Sequence, residues 1–303
     1  MKLIVLLSTY NGEEYLPAQL DSLLKQDLLP SKIYVRDDGS GDATLDILKQ
    51  YREKYPMIEY YCGENRKPAG SFWNLIETCE DADYYALCDQ DDVWFADKLS
   101  TAVKTLQEED QDLPLLYCSR FTLTDKDLNP INSDVSKLYD FSDFPHSLIY
   151  HTAPGCTFVF NHAARKKVLQ YDITKEYCII HDAIIHKVTA MFGKVILDET
   201  SHMYYRQHGN NEIGLSADKV KVFLGRIDRF LHSDIRNYRS RTAQSLLRVY
   251  GDQIDEDRKD LLNMVANYED DPKLKKRLLN EKRFRSGTVN DLFFRLLVLV
   301  NYI

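Results

Sequence analysis

The chain has 303 residues, 44% of them hydrophobic, enough to bury a substantial core in one large domain or one domain with an appendage. The net charge of −8 is unevenly placed: from Ser216 onward 18 Lys+Arg face 13 Asp+Glu, a net of +5, which leaves −13 for the rest. An acidic body counts against nucleic acid as a partner, since phosphates need a basic footprint, and suits carboxylates gathered around a divalent cation; a basic tail suits an anionic membrane surface or an acidic partner.

Leu3 to Leu7 is a continuous apolar run, the pattern of a strand covered on both faces. It is too short for a signal peptide, and the turn chemistry of Ser8-Thr9-Tyr10-Asn11-Gly12 ends it. Leu16, Leu20, Leu23 and Leu24 then recur at helical spacing, with Pro17 suited to the first turn. Lys32 to Arg36 reads as a second strand, closed by Asp37-Asp38-Gly39-Ser40. Asp42 is placed to cap a helix carrying Leu45, Leu48 and Tyr51. Met57 to Tyr61 reads as a third strand, Gly70 opens a helix with Phe72, Leu75 and Ile76, and Tyr84 to Cys88 is a fourth strand. Strands alternating with helices predict a mostly parallel sheet flanked by helices, an α/β fold. Such sheets bind ligands at the carboxyl ends of their strands. The polar clusters Ser8 to Glu13, Asp37 to Ser40 and Asp89 to Asp92 all fall there.

Beyond this the rhythm loosens. Leu115 to Ser119, Phe158 to Phe160 and Val195 to Leu197 read as strands, and His162 to Leu169 and Asp182 to Met191 as helices. From Ser216 the text is helical and amphipathic, with Val222, Phe223, Ile227, Phe230 and Leu231 on one face, and Leu292 to Val300 is strongly apolar. The division expected is a catalytic domain over 1–215 and a C-terminal helical region over 216–303. Six cysteines without a C-x-x-C pair read as buried free thiols of a reducing, cytoplasmic compartment.

Asp89-Gln90-Asp91-Asp92 carries the most chemistry. Carboxylates crowded at a strand end repel one another unless a cation sits between them, and Mg²⁺ or Mn²⁺ takes oxygen ligands together with substrate phosphates. A solvated acidic turn is the plain alternative. No G-x-G-x-x-G, P-loop lysine or nucleophile elbow is present.

Together, Ser8-Thr9-Tyr10-Asn11-Gly12, Asp37-Asp38-Gly39-Ser40 and Asp89-Gln90-Asp91, in this order, resemble family 2 glycosyltransferases with the glycosyltransferase A fold. Asp89 to Trp94, His181-Asp182 and Tyr205-Arg206-Gln207-His208-Gly209-Asn210-Asn211 resemble the rhamnosyltransferase-like branch, over roughly residues 1–215. The resemblance implies that Ser8, Tyr10 and Glu13 line a nucleotide pocket, Asp38 reads a pyrimidine, and Asp89 faces the ribose. It implies Asp91 as a ligand of Mn²⁺ or Mg²⁺, with His208 as a further metal or phosphate contact, and Asp182 as the base. The usual Glu-Asp pair reads His181-Asp182 here, which leaves the role of His181 open. The implied reaction is inverting transfer from a dTDP- or UDP-linked sugar, dTDP-rhamnose first, to a glycan or lipid-linked acceptor of bacterial surface polysaccharide. The alternatives are a metal-dependent nucleotidyltransferase and a non-catalytic scaffold paralogue. For the apolar C-terminal helix, contact with a membrane surface, with a second copy in a homo-oligomer, and with the catalytic domain are the three readings.

Overall fold

The computed structural model describes residues 1–131, 142–150, 153–208, 236–285 and 287–303. The amphipathic stretch from Val222 to Leu231, the Gly209-Asn210-Asn211 end of the last motif and the 215/216 boundary lie outside the described residues.

The chain begins with three strand–helix units: β1 (Leu3–Thr9) and α1 (Leu16–Leu23), β2 (Lys32–Asp37) and α2 (Thr44–Lys54), β3 (Ile58–Cys62) and α3 (Lys67–Thr78). Each of these three strands predicted from an apolar run is present, shifted by a residue or two at its ends. Asp42 accepts from Thr44 N at 3.0 Å, one position before the geometrical cap Ala43. The third helix starts at Lys67, ahead of the expected Gly70, with Pro68 in its first turn.

β4 (Tyr84–Cys88) and the two-residue β5 (Val93–Trp94) bracket the acidic turn, and α4 (Lys98–Gln107) leads to β6 (Leu115–Thr124). The short helix α5 (Phe144–Ile149), β7 (Val159–Asn161), α6 (His162–Val168), α7 (His181–Phe192) and β8 (Lys194–Arg206) follow. The eight strands form one sheet in the order β3-β2-β1-β4-β7-β6-β8-β5. β1 to β4 run parallel, β7 lies antiparallel to both β4 and β6, and β6 runs parallel with β8.

β6 and β8 outrun their apolar cores. Past Leu197 the chain reads Asp198-Glu199-Thr200-Ser201, with no hydrophobic signal, yet β8 continues to Arg206 across register shifts in its pairing with β6. What holds its far half is a partner distant in sequence: Val93 and Trp94 pair with Tyr204 and Met203. That pairing delivers the end of β8 to the acidic turn.

Alternation along β1 sorts the core into two layers. Leu3, Val5 and Leu7 face a cluster with Leu16, Leu20, Leu48, Leu99 and Val103, so α1, α2 and α4 cover that side. Ile4 and Leu6 face the other, with Phe72, Trp73, Ile184 and Val188 from α3 and α7. The C-terminal helices α8 (Tyr238–Tyr250), α9 (Glu256–Asn267), α10 (Pro272–Asn280) and α11 (Thr288–Leu299) bury Leu246, Leu262, Leu278, Phe294, Leu297 and Val298 in this same second cluster. The apolar end of the chain is thus two-sided: one face packs inward, while Leu292 (72% exposed), Leu296 (53%), Leu299 (58%) and Val300 (45%) face outward.

Candidate active site

The carboxyl ends of β1, β2 and β4 lie side by side, so the three polar loops meet on one edge of the sheet. After β2, the Asp37 carboxylate folds its own turn: Oδ1 accepts from Gly39 N (3.1 Å) and Ser40 N (2.8 Å), and Oδ2 from Thr9 Oγ1 (3.0 Å). Asp38 is buried, ion-paired to Arg36, with Oδ2 accepting from Arg66 N at 2.7 Å. Any reading of a base by Asp38 uses a lone pair left over from these donors. Glu13 holds the start of α2 in place, since Oε2 accepts from Ala43 N (2.9 Å) while Glu13 N donates to Asp42 (3.0 Å). Ser8 shares a 2.6 Å hydrogen bond with Ser71 of α3, and Tyr10 is exposed.

The acidic turn is where the expected residues converge. His208 Nε2 lies 2.7 Å from Asp91 Oδ2. Arg206 Nε donates to the Asp91 carbonyl (2.8 Å) and Arg206 N to Asp92 Oδ1 (3.1 Å), so the end of β8 clamps the turn's backbone. The Tyr15 ring spans both, tilted against His208 at 4.6 Å and beneath the Arg206 guanidinium at 4.6 Å. Asp92 is 1% exposed, and its Oδ2 is buried without a well-formed hydrogen bond. Asp89, Asp92 and the Cys156 thiol offer atoms within 4.8 Å of one another.

This crowding has an electrostatic signature. Burial, then the charges of Asp91 and Asp182, push Asp89 up to about 7; burial and its two acidic neighbours push Asp92 well above the carboxylate range. Removing a proton here is costly in isolation and cheap when a cation shares the site. Carboxylate oxygens with one imidazole are a donor set that Mn²⁺ or Mg²⁺ accepts, and the buried Asp92 Oδ2 lies beside Asp89 and Cys156.

Asp182 faces the same turn. It sits in the first turn of α7, 6% exposed, and its Oδ2 accepts from Gly155 N at 3.0 Å. Gly155 is required here by close approach: a Cβ would lie 3.0 Å from His181 Nε2 and 3.2 Å from Asp182 Cβ. The neighbouring His181 has its ring stacked on Phe72 at 4.4 Å. Asp89, Asp91, Asp182 and His208 are therefore together, with Ser8 and Tyr10 on the adjoining loop. Asp38 and Glu13 are engaged with the backbone at Arg66 and Ala43. Trp73 and Trp94 are core residues. Sequence reasoning passed over Tyr15, Gly155 and Cys156. Arg206 was visible only as part of a motif, and Pro154-Gly155-Cys156 carries no periodic signal.

A mixed α/β sheet thus gathers carboxylates and an imidazole at its strand ends. Residues 4–169, more than half of the chain, match the glycosyl transferase family 2 model, and the chain belongs to that family. Over 224 residues it is 27% identical to the dTDP-rhamnosyl transferase RfbG of Shigella flexneri, covering 69% of this chain and 73% of that one. Over 218 residues it is 29% identical to an uncharacterized glycosyltransferase of Nostoc, covering 70% and 66%. Among solved structures it resembles the Staphylococcus aureus enzyme TarS in complex with UDP-GlcNAc (TM-score 0.56, 15% identity, 98% of this chain, 90% of that one). It also resembles a mannosyltransferase of Pyrobaculum calidifontis in complex with GDP-Man and Mn2+ (TM-score 0.51, 18% identity, 99% and 81%). The fold is that of glycosyltransferase A enzymes, the rhamnosyltransferase-like relatedness holds, and sugar transfer replaces the nucleotidyltransferase alternative.

Proposed function

We propose that the protein transfers a sugar, L-rhamnose from dTDP-rhamnose or a hexose from a UDP-sugar, to a hydroxyl of a glycan or lipid-linked acceptor, with inversion. The observation that carries this is the convergence of Asp89, Asp91, His208 and Asp182 at the strand ends.

Ser8 and Tyr10 would line the nucleotide side, Asp89 would meet the ribose, and Asp91 with His208 would hold Mn²⁺ or Mg²⁺. Bound there, the cation would supply the positive charge that offsets a nucleoside diphosphate. Asp182 takes the proton of the attacking acceptor hydroxyl. It lies in the first turn of α7, with Oδ2 held by the Gly155 N–H. One base and one displacement invert the anomeric centre. The donor printed in the name of the Shigella flexneri relative, a dTDP-rhamnosyl transferase, supports rhamnose first. The outward apolar row of α11, beside Arg295 and the basic α10, suits the surface of an anionic membrane where lipid-linked acceptors lie. No helix among the described residues is long and apolar enough to cross a membrane.

The test is release of nucleoside diphosphate from dTDP-rhamnose, UDP-glucose, UDP-GlcNAc and GDP-mannose, each with Mn²⁺, Mg²⁺ or EDTA. Release from one of the first three, stimulated by metal and abolished by EDTA, is expected. Full activity in EDTA sinks the metal role; release from GDP-mannose alone sinks the donor assignment.

A further inference from the structure

The middle residue of the Asp89-Gln90-Asp91 motif is free to be anything that the metal chemistry tolerates, yet its side chain is fully engaged. Gln90 Oε1 accepts from Tyr10 N at 2.9 Å, and Gln90 Nε2 donates to Tyr10 O at 2.9 Å. A carboxamide is one of the few side chains that carries donor and acceptor at the spacing of one residue's N–H and C=O, so it mimics a strand neighbour. The opposite side of the same loop is tied to the second polar cluster and to the start of α2: Asn11 N donates to Ser40 Oγ (2.8 Å) and Gly12 N to Thr44 Oγ1 (2.8 Å). Gly12 also leaves the space that the amide fills, for a Cβ there would overlap Gln90 Oε1.

We propose that Gln90 is a positioning residue that latches the nucleotide loop after β1 to the acidic turn after β4, setting the distance between the groups that grip the nucleoside and those that grip the diphosphate. Gln90 lies between Asp89 and Asp91, so anchoring its side chain fixes the backbone that carries both carboxylates. The inference rests on the donor reading above and adds to it the part that couples the two halves of the donor site.

The test uses the full chain and two probes, UDP and dTDP, each with Mn²⁺. Gln90→Met keeps the volume and removes both hydrogen bonds. Deuterium uptake over the peptide spanning Tyr10 to Glu13 should quicken roughly tenfold without nucleotide, as a local opening becomes easier. Nucleotide binding by calorimetry should weaken roughly tenfold with the melting temperature held. Gly12→Ala should weaken binding similarly, and the double variant should be no worse than the worse single one, because both break the same latch. Unchanged deuterium uptake overturns the latch. Faster uptake with binding within about twofold of wild type, or effects of the two substitutions that add, overturns the positioning role. Wild-type protein that binds neither nucleotide overturns the donor reading itself, and the positioning role with it.

Discussion

At the carboxyl edge of the sheet, Asp89, Asp91, Asp92 and Asp182 crowd into one site, two of them held far from their ordinary protonation range. The helices α8 to α11 do the reverse: Leu246, Leu262, Val265 and Phe294 go inside, and the charges stay out, in pairs such as Arg277 with Asp260 and Arg283 with Asp257. Those exposed pairs add little to stability, whereas the apolar contacts beneath them hold the region to the sheet. The edge spends stability on chemistry, and the helices restore it. Substitutions should therefore separate activity from stability according to which region they strike.

The largest effect is expected at Asp91. Asp91→Asn should lower turnover by on the order of 10³, while the metal-free melting temperature holds or rises, because a charge that disfavours ionised Asp89 is gone. A large fall in melting temperature alongside the activity would break the comparison. Asp182→Asn keeps the shape and removes the proton acceptor; kcat should drop by on the order of 10²–10⁴ with UDP or dTDP binding little changed. A near-normal kcat would move the base elsewhere, with His181 the next suspect despite its stacking on Phe72.

In the helical region the signs reverse. Leu262 is fully buried in α9, and Leu262→Ala should cost about 2–5 kcal/mol in urea denaturation while kcat per folded molecule stays at the wild-type value. The smallest stability effect belongs to the outward row of α11. Leu292→Gln with Leu296→Gln should change stability by less than about 0.5 kcal/mol each, yet abolish sedimentation with anionic liposomes. Retained sedimentation argues against the membrane face; a dimer that dissociates on size exclusion assigns the row to a second copy. Deleting α11 is a poorer test, because Phe294, Leu297 and Val298 would leave with it.

The legibility of the sequence follows the same divide. The first four strands and three helices were readable because each is a local pattern: a run covered on both faces, a 3.6-residue period, and a polar loop where the strand stops. The acidic turn was readable because like charges gathered in four residues demand an explanation wherever they fold. β5 and the far half of β8 were not, because a two-residue strand and a polar stretch of Asp198 to Ser201 become strand only by pairing with partners about a hundred residues away. The same is true of the helix-dense end. Its amphipathic periods announced helices, but not which face each one buries.

By itself, then, the sequence determined the parallel half of the sheet, the strand ends on which polar loops meet, and the carboxylates that belong there, because these depend on neighbours within a few turns of chain. Only the tertiary structure decided that Asp182 and Gly155 close over the acidic turn, that Arg206, Tyr15 and His208 stack against it, that Asp38 is committed to Arg36, and that α11 buries one apolar face and shows the other. Each of those is a contact between segments far apart in sequence, settled by the cost of leaving a charge or an apolar face unmatched once the whole chain has packed.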